Sequence, residues 1–537
     1  MSWLSYCYKT YQNSVSEIGK QQPGKVPLLP VAHTTQQVNI EVELDKDGNF
    51  QYAGLLAQDQ RTTIIPCTEE SSARTSGMVP HPLVDKLQYI AADYPTFGGS
   101  KESGWPLYHK QLQAWCTSPY AHPAVCTVLH YLEKECLIAD LVKANILFID
   151  ENGTLPTKWQ GNKEDKPPIL DTLTGSDQTE SFVRFRVDNV DLSRDTTVRE
   201  SFIRFYETQL KDIDYCTVQG IKMPVSTLSP YKIRNPGDRA KLISSNDNTN
   251  YTYRGRFADA AQALSIGYET TQKAHSALRW LVSKQGVNTG DQTVLVWGTQ
   301  NEAVPNVLGD TLDIAQEYNP LAGDDWDDFE EDTERLPADT QEEIARQFNR
   351  AILGYQHQLK DNSQTAVMIL DSATPGRLSI RYYQELQGSK LLANIKDWHD
   401  TFQWQLEYRS VEEPTELGKK PKIKKVVFVG APAPADIAKA AYGEKVDAKL
   451  KQATIERLIP CITNGERFPR DLMISAVDRA TNSIGLDYWE QQKTQNIACA
   501  LVRGYYHRNK KVDYPMNVDE TIKDRNYLFG RILACAE

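Results

Sequence analysis

Residues 38–52, VNIEVELDKDGNFQY, decide the fold class of this chain. Apolar and polar side chains alternate from Val38 to Leu44, which is typical of a strand with one buried face. The dipeptide Asp47-Gly48 then favours a tight turn, and the following aromatic residues continue the alternation on the return. The stretch predicts an antiparallel hairpin.

Further strands and helices follow along the chain. Residues 293–299 and 365–373 are apolar runs typical of buried strands, and residues 376–386 should pair with the second run. Apolar or small residues recur at a helical spacing from Phe257 to Lys284, which predicts one long helix, and residues 120–145 also have a helical pattern.

These elements together predict the fold class α+β. A chain of 537 residues is too long for one core, so the protein should be multi-domain. We expect a large mixed N-terminal domain over 1–435, with antiparallel strands and long helices. A helical C-terminal segment should follow over 436–537.

The net charge of −11 argues against a nucleic-acid partner only at first sight. Residues 324–334, DDWDDFEEDTE, contain eight carboxylates and no cation, and we expect an exposed acidic loop over about 321–336. Because binding depends on the distribution of charge and not on its sum, a local basic surface remains compatible with this composition.

A basic and amide-rich stretch lies at 231–256. Its cations and short amide side chains suit phosphate oxygens and 2′-hydroxyl groups, although a solvated strand face with a polar turn would have the same composition. A predicted strand at 181–190, SFVRFRVDNV, adds two arginines opposite its apolar residues. The candidate residues for holding a nucleic-acid backbone are Arg184, Arg186, Lys232, Arg234, Lys241, Asn246, Asn248, Arg254 and Arg256.

The polar loop at 67–82 is the candidate reader of a DNA groove. Its small residues permit close approach, and an arginine can enter a groove or hold a phosphate. The predicted contacts to duplex DNA are Arg74, Thr75, Ser76 and Gly77.

No motif in the sequence predicts catalysis or a cofactor. The glycine-rich signatures of nucleotide binding are absent, and the nine cysteines are scattered without a close pair, so we expect reduced thiols and no zinc site. The sequence therefore predicts no catalytic residue, no metal and no cofactor. A rival hypothesis is a metal-dependent nuclease that uses Asp371, His399 and Asp400.

The N-terminus lacks the pattern of a signal peptide, and no apolar run reaches the length of a membrane span. We therefore expect a cytoplasmic protein without a membrane partner.

Several long motifs resemble one family, the large subunit of the type I-C CRISPR Cascade surveillance complex. The resemblance extends from about residue 35 to the C-terminus, in the order of the family, and its length makes it highly specific. The motifs are RTSGMVPHPLVDK (74–86), FVRFRV (182–187), the segment 221–257, GYETTQKAHSALRWLVSKQG (267–286), ATPGRLSIRYYQEL (373–386), WHDTFQW (398–404) and DETIKDRNYLFGRI (519–532).

The resemblance implies a non-catalytic subunit of a complex for antiviral defence. Such a subunit lies at the 5′ end of the CRISPR RNA, inspects double-stranded DNA for the protospacer-adjacent motif and helps to open it into an R-loop. The implied partners are the crRNA, target double-stranded DNA, the repeated Cascade backbone subunits, the crRNA 5′-end subunit, the small subunits and a transiently recruited helicase-nuclease. A scaffold that contacts only proteins is a third hypothesis.

The resemblance also concerns the C-terminus. Family members usually continue past the motif at 525–532 through more helices that resemble the small subunit, so this segment looks truncated. Internal translation initiation can produce the small subunit separately, and Met473 is a conceivable start.

Overall fold

The computed structural model of the protein describes most of the chain. The described residues are 2–74, 77–99, 101–156, 159, 166–173, 175, 177–235, 237–244, 257–258, 260–317, 341–359, 363–374, 377–412, 422–482 and 484–536. They form two compact units. The first unit comprises Met1–Gly286 with Ser372–Ser379, and the second comprises Val287–Asp371 with Ile380–Glu537.

The central sheet of the first unit grows from the predicted hairpin. Strand β2 (Ile40–Leu44) pairs antiparallel with β3 (Phe50–Leu55) and parallel with β6 (Phe182–Val187). β5 (Asp85–Lys86) and β7 (Val190–Asp191) also pair with β6. Separate two-stranded ladders join β1 (His33–Gln37) to β4 (Thr62–Pro66) and β8 (Ile213–Tyr215) to β9 (Lys222–Pro224).

The hairpin turn explains why this register forms. The carboxylate of Asp45 accepts hydrogen bonds from the backbone amides of Asp47 and Asn49 at 3.0 and 2.8 Å. Gly48 has a φ of +74°, which a residue without a β-carbon adopts without strain. The sequence prediction of an antiparallel hairpin is confirmed.

Helices pack around the sheet of the first unit. Buried apolar residues of the sheet and of several helices, such as Ile40, Leu112 and Val128, form one core. The helices are α1 (Trp3–Asn13), α2 (Glu69–Ser72), α3 (Leu87–Ile90), α4 (Trp105–Cys116), α5 (Pro123–Leu132), α6 (Leu137–Lys143), α7 (Thr196–Glu207), α8 (Ala260–Ala263) and α9 (Tyr268–Gln285).

The second unit contains a four-stranded sheet and a strand pair. The sheet has the order β10 (Val287–Thr289), β11 (Gln292–Gly298), β12 (Gln364–Thr374) and β13 (Arg377–Gln387). β14 (Trp404–Glu412) pairs antiparallel with β15 (Lys422–Gly430). The predicted strands at 293–299, 365–373 and 376–386, and the pairing of the last two, are confirmed.

Most helices of the second unit share one core with these strands. That core joins residues such as Val294, Trp398 and Ile437, so it includes side chains from both sides of the predicted boundary at 435/436. The predicted division into domains 1–435 and 436–537 stays a prediction. The helices are α10 (Thr311–Glu317), α11 (Gln341–Gln358), α12 (Gly388–Thr401), α13 (Pro434–Tyr442), α14 (Ala448–Thr463), α15 (Arg470–Thr481), α16 (Tyr488–Tyr505) and α17 (Arg525–Ala536).

Two predicted helices are shorter than their patterns indicated. The pattern from 257 to 284 forms α8 and α9, and the backbone of Ser226 bonds to Ile266 between them, so the helix begins only at Tyr268. The pattern at 120–145 is divided between α5 and α6, because Glu135 adopts a φ of +55°. The fold class, a mixed α+β protein, is confirmed.

The described part of the chain contains no helix that is both long and apolar enough to cross a membrane. The predicted acidic loop at 321–336 lies outside the described residues.

Candidate nucleic-acid interface

The basic stretch begins with a segment that Glu69 holds in place. The buried Glu69 carboxylate accepts hydrogen bonds from the backbone amides of Thr227 and Leu228 at 3.0 Å each and from the Thr227 hydroxyl at 2.9 Å. The Ser226 hydroxyl bonds to the same carboxylate. The chain therefore enters the basic stretch from a fixed point in the first unit.

The next residues form a closed loop. The Lys232 amide donates to the Asp238 carbonyl at 2.8 Å, and Arg234 Nε forms an ion pair with the Asp238 carboxylate at 3.0 Å. Ile233 and Ala240 are 2% and 1% exposed, so both ends of the loop are anchored in the core. The loop presents polar side chains from a rigid base.

The predicted cations of this loop differ in their charge balance. Arg234 is neutralised by Asp238, whereas Lys232 and Lys241 form no ion pair with any described residue. The Lys241 carbonyl accepts the amide of Leu378 at 3.1 Å, which fixes its backbone against the β-strand edge at 377–379. The structure therefore brings the predicted Lys232 and Lys241 into one anchored segment, where no acid among the described residues neutralises either lysine.

Arg74 has an internal role in this structure. Its guanidinium forms two hydrogen bonds with the fully buried Asp85 carboxylate, Nη1 to Oδ2 at 2.8 Å and Nη2 to Oδ1 at 3.0 Å. Nη1 also donates to the Val79 carbonyl at 2.8 Å, and the guanidinium lies 4.6 Å from the ring centre of Tyr89. The predicted groove contact by Arg74 stays a prediction, because its hydrogen-bonding capacity is largely used inside the fold.

The rest of the predicted groove reader is only partly described. Thr75 and Ser76 lie outside the described residues. Gly77 has a φ of +86°, and a β-carbon placed there would meet no atom within 4 Å, so the backbone at Gly77 borders open space. The conformation favours glycine, and the open space would allow a ligand to approach.

The two arginines of β6 are paired with acids of the same sheet. Arg184 is 5% exposed, and it bonds to Glu41 with Nε at 2.8 Å and lies 3.6 Å from Asp191. Arg186 lies 3.9 Å from Glu41 and donates to the Asn189 carbonyl at 2.6 Å. The Arg184 side chain is therefore buried between acids of the sheet, and the predicted backbone contacts of Arg184 and Arg186 stay predictions.

Four other predicted contacts cannot be placed. Asn246, Asn248, Arg254 and Arg256 lie outside the described residues.

The residues of the rival nuclease hypothesis lie in the second unit. His399 is 3% exposed, its Nδ1 is 2.8 Å from the Thr311 hydroxyl, and burial lowers its pKa to about 3. Asp400 is ion-paired with Lys396 at 2.6 Å, and Asp371 lies in β12. No cluster of three or more His, Cys, Asp or Glu side chains suited to a metal occurs in the portion of the chain that the structure describes.

One basic residue of this region was not predicted. Arg279 lies on α9 among buried side chains and is 8% exposed. The sequence carried a signal, because the helix positions three and four residues away contain Ser276, His275, Val282 and Ser283, none of which is acidic. Arg279 is therefore a buried helical arginine without an acid on the neighbouring turns of its helix.

Comparisons with known proteins identify the family. No curated protein matches the chain. The family model described as "CRISPR-associated protein (Cas_Csd1)" matches residues 7–537, nearly the full length of the chain. This match agrees with the family that the motifs between residues 35 and 532 indicated. The chain belongs to the Cas_Csd1 family of CRISPR-associated proteins, the large subunits of type I-C Cascade complexes.

Proposed function

We propose that this Cascade large subunit recognises the protospacer-adjacent motif of double-stranded DNA and helps to open that DNA for pairing with the crRNA. The family match over residues 7–537 carries the proposal. In such complexes base pairing reads the target sequence, while protein contacts read the short motif and the backbone shape. Recruitment of a helicase-nuclease then supplies the cleavage, and this subunit does not itself catalyse a reaction.

We assign both tasks to the first unit. Motif reading is assigned to Arg74, Thr75, Ser76 and Gly77, with Arg74 anchoring the loop to Asp85 and the backbone at Gly77 approaching the groove. Holding of the phosphate backbone is assigned to the segment from Lys232 to Lys241. Two lysines of that segment have no ion pair among the described side chains, so they retain their charge for a polyanion.

The proposal is tested with the assembled complex. The chain is co-expressed with the neighbouring CRISPR genes, and the RNA that co-purifies with it is identified. Affinity is then measured for duplex DNA with the motif intact or scrambled, and for the same two targets already unwound. We expect scrambling to weaken duplex binding strongly and to affect the unwound targets little, because pairing supplies the energy there.

The proposed lack of catalysis has a separate test. The repurified chain is incubated with DNA or RNA in the presence of Mg²⁺, Mn²⁺ or ATP, and products are followed on a gel. We expect no cleavage. A nuclease activity that co-elutes with the chain through repurification and is abolished by EDTA would contradict the proposal, and an assembled complex without bound RNA would favour a scaffold instead.

A further inference from the structure

A cavity of about 810 Å³ lies in the first unit, where residues of α1, α7, α9 and β9 line it. The lining of this α7 cavity is mainly apolar and includes the half-buried side chains of Ile203, Leu210 and Pro224. Val15 also lines the cavity and is 62% exposed, so the cavity is open to solvent. Ligand sites in proteins have volumes of about 300–1,000 Å³, so several side chains of a partner can enter a space of this size.

Two glutamates of α7 lie beside the apolar lining. Glu200 and Glu207 share one face of the helix with Ile203, because the three residues follow one another at helical spacing, and all three line the cavity. Both glutamates are exposed, and neither forms an ion pair with any residue that the structure describes. The apolar lining is therefore bordered by two carboxylates whose charge is not neutralised.

The two cations of the lining do not pair with these glutamates. Lys273 forms its ion pair with Glu269, which also lines the cavity. Arg199 donates two hydrogen bonds to the Ser193 carbonyl, from Nε at 3.2 Å and from Nη2 at 2.7 Å. Three glutamates and two cations thus line the cavity, so its net charge is negative.

An exposed apolar surface continues from the cavity onto the hairpin of β8 and β9. Ile213 pairs with Pro224 and Tyr215 pairs with Lys222, so these four side chains share one face of the hairpin. Ile213 and Tyr215 are 65% and 58% exposed, and Lys222 Nζ lies 5.2 Å from the ring centre of Tyr215. Since Pro224 also lines the cavity, this apolar face adjoins it. Contiguous exposed apolar surface of this kind is typical of a site of protein contact.

The charge of the cavity selects the class of partner. Unpaired carboxylates repel phosphate groups and attract lysine and arginine side chains, which disfavours a nucleic acid here and favours a basic protein segment. We propose that the α7 cavity docks a segment of another protein chain, which inserts apolar side chains into the cavity and places lysines or arginines beside Glu200 and Glu207. Apolar anchors in a cavity with charged groups around them are the usual anatomy of a protein interface.

This inference goes beyond the proposed function, because it concerns a protein partner and does not require the chain to bind DNA or RNA. Membership of the Cascade family implies that the chain works in a complex with other subunits. A docking site on the first unit would therefore have partner chains available in that complex.

The first test is photo-cross-linking in the assembled complex. The photoreactive amino acid p-benzoylphenylalanine replaces Val15 in the full chain, which is co-expressed with the neighbouring CRISPR genes, purified and irradiated. We expect a cross-link to an apolar residue of another protein chain with lysines or arginines within about one helical turn, located by mass spectrometry. The matched control places the same amino acid at Val190, which is 47% exposed and lies outside the cavity, and it should not give this cross-link.

The second test reverses the charge of the cavity. The affinity of the full chain for the cross-linked partner chain should fall about tenfold or more with Glu200→Lys and Glu207→Lys together, and the difference should shrink as salt is added. Reversal of the partner's basic residues to glutamate should restore part of the affinity. The control variant carries Asp59→Lys and Glu151→Lys, two exposed acids of the same unit outside the cavity, and it should bind like the wild type.

Thermal denaturation checks that the variants are folded. Because both glutamates are exposed, the doubly reversed protein should melt within about 2 °C of the wild type. If it melts lower, the variant with Glu200→Gln and Glu207→Gln replaces it, since glutamine removes only the charge, and the affinity should then fall about threefold.

Several results would overturn the docking site. These are a cross-link from position 15 to RNA or DNA, a cross-link between two copies of this chain, or an assembled complex without a cross-link to another protein. A cross-link to another protein, combined with wild-type affinity in a folded charge-reversed variant, would refute the basic partner. The proposed function is tested separately by scrambling the motif in duplex DNA, so either proposal can fail while the other stands.

Discussion

Replacement of Arg74 by methionine should destabilise the first unit strongly. The guanidinium and the Asp85 carboxylate meet through two bonds of 2.8 and 3.0 Å, with side-chain exposures of 11% and 0%. Two unit charges about 4 Å apart attract by about 4 kcal/mol in an effective dielectric near 20. Loss of one partner of a buried pair costs about 3–5 kcal/mol, because the other charge stays buried.

The lower end of that range applies here. Asp85 keeps hydrogen bonds from the backbone amides of His81 and Lys86 at 2.7 and 2.8 Å after Arg74 is removed. We therefore expect a loss of about 3 kcal/mol, equivalent to about 6 °C in melting temperature at roughly 2 °C per kcal/mol for a unit of this size.

A double-mutant cycle measures the pair directly. Arg74→Met, Asp85→Asn and the double variant are compared by thermal denaturation of the full chain. The free energy of unfolding of the double variant should fall by about 2 kcal/mol less than the sum of the two single decreases, since the double variant leaves no isolated buried charge. If Arg74→Met melts within about 1 °C of the wild type but binds motif-bearing duplex less tightly, the argument from burial is wrong, and Arg74 contacts DNA directly instead of anchoring the loop.

Three further predictions concern other parts of the chain. Glu69→Gln should speed amide hydrogen exchange at Thr227 and Leu228 about tenfold or more, because charged hydrogen bonds hold both amides, and unchanged exchange would contradict this anchor. Gly77→Val should lower the free energy of unfolding by about 1–2 kcal/mol, because Gly77 has a φ of +86°. Gly77→Asn should be closer to the wild type. Equal losses in the two variants would indicate a steric clash instead of backbone strain. The buried His399 has a pKa of about 3, below its ordinary 6.5, so its contribution to stability is complete above pH 6.5 and is lost as the pH falls towards 3. His399→Gln should therefore flatten the decrease of melting temperature between pH 6.5 and 4, and a parallel decrease in both proteins would exclude this histidine as a source.

Local patterns predicted the elements of the fold well. The alternation at 38–44, the turn at Asp47-Gly48 and the apolar runs at 293–299 and 365–373 each specify a strand through nearest-neighbour chemistry. The helix boundary at Tyr268 was missed, because the apolar spacing continues back to Phe257 while a backbone bond between Ser226 and Ile266 interrupts the helix. That bond joins residues distant in sequence, so no local pattern indicates it.

For the charged residues, the sequence could not predict which side chains are available to a ligand. Composition singled out Arg74 and Arg184 as candidate contacts, but whether an arginine is available depends on the acids that the fold places beside it. Asp85 is near Arg74 in sequence, whereas Glu41 reaches Arg184 across 143 residues. The opposite holds for Arg279. The sequence of its helix shows that no acid is nearby, whereas the burial of the side chain could not be predicted from that sequence.

The parallel pairing of β2 with β6 also has a consequence for synthesis of the chain. Glu41 leaves the ribosome 143 residues before its partner Arg184, and at about 5–20 residues per second the hairpin waits on the order of ten seconds for its neighbour. During that time the β2 edge is an unpaired template for other strands. The first unit is complete only when Ser372–Ser379 has also been made. Slower translation would prolong this interval, so the yield of folded protein should depend on elongation rate and on chaperones that shield the nascent hairpin.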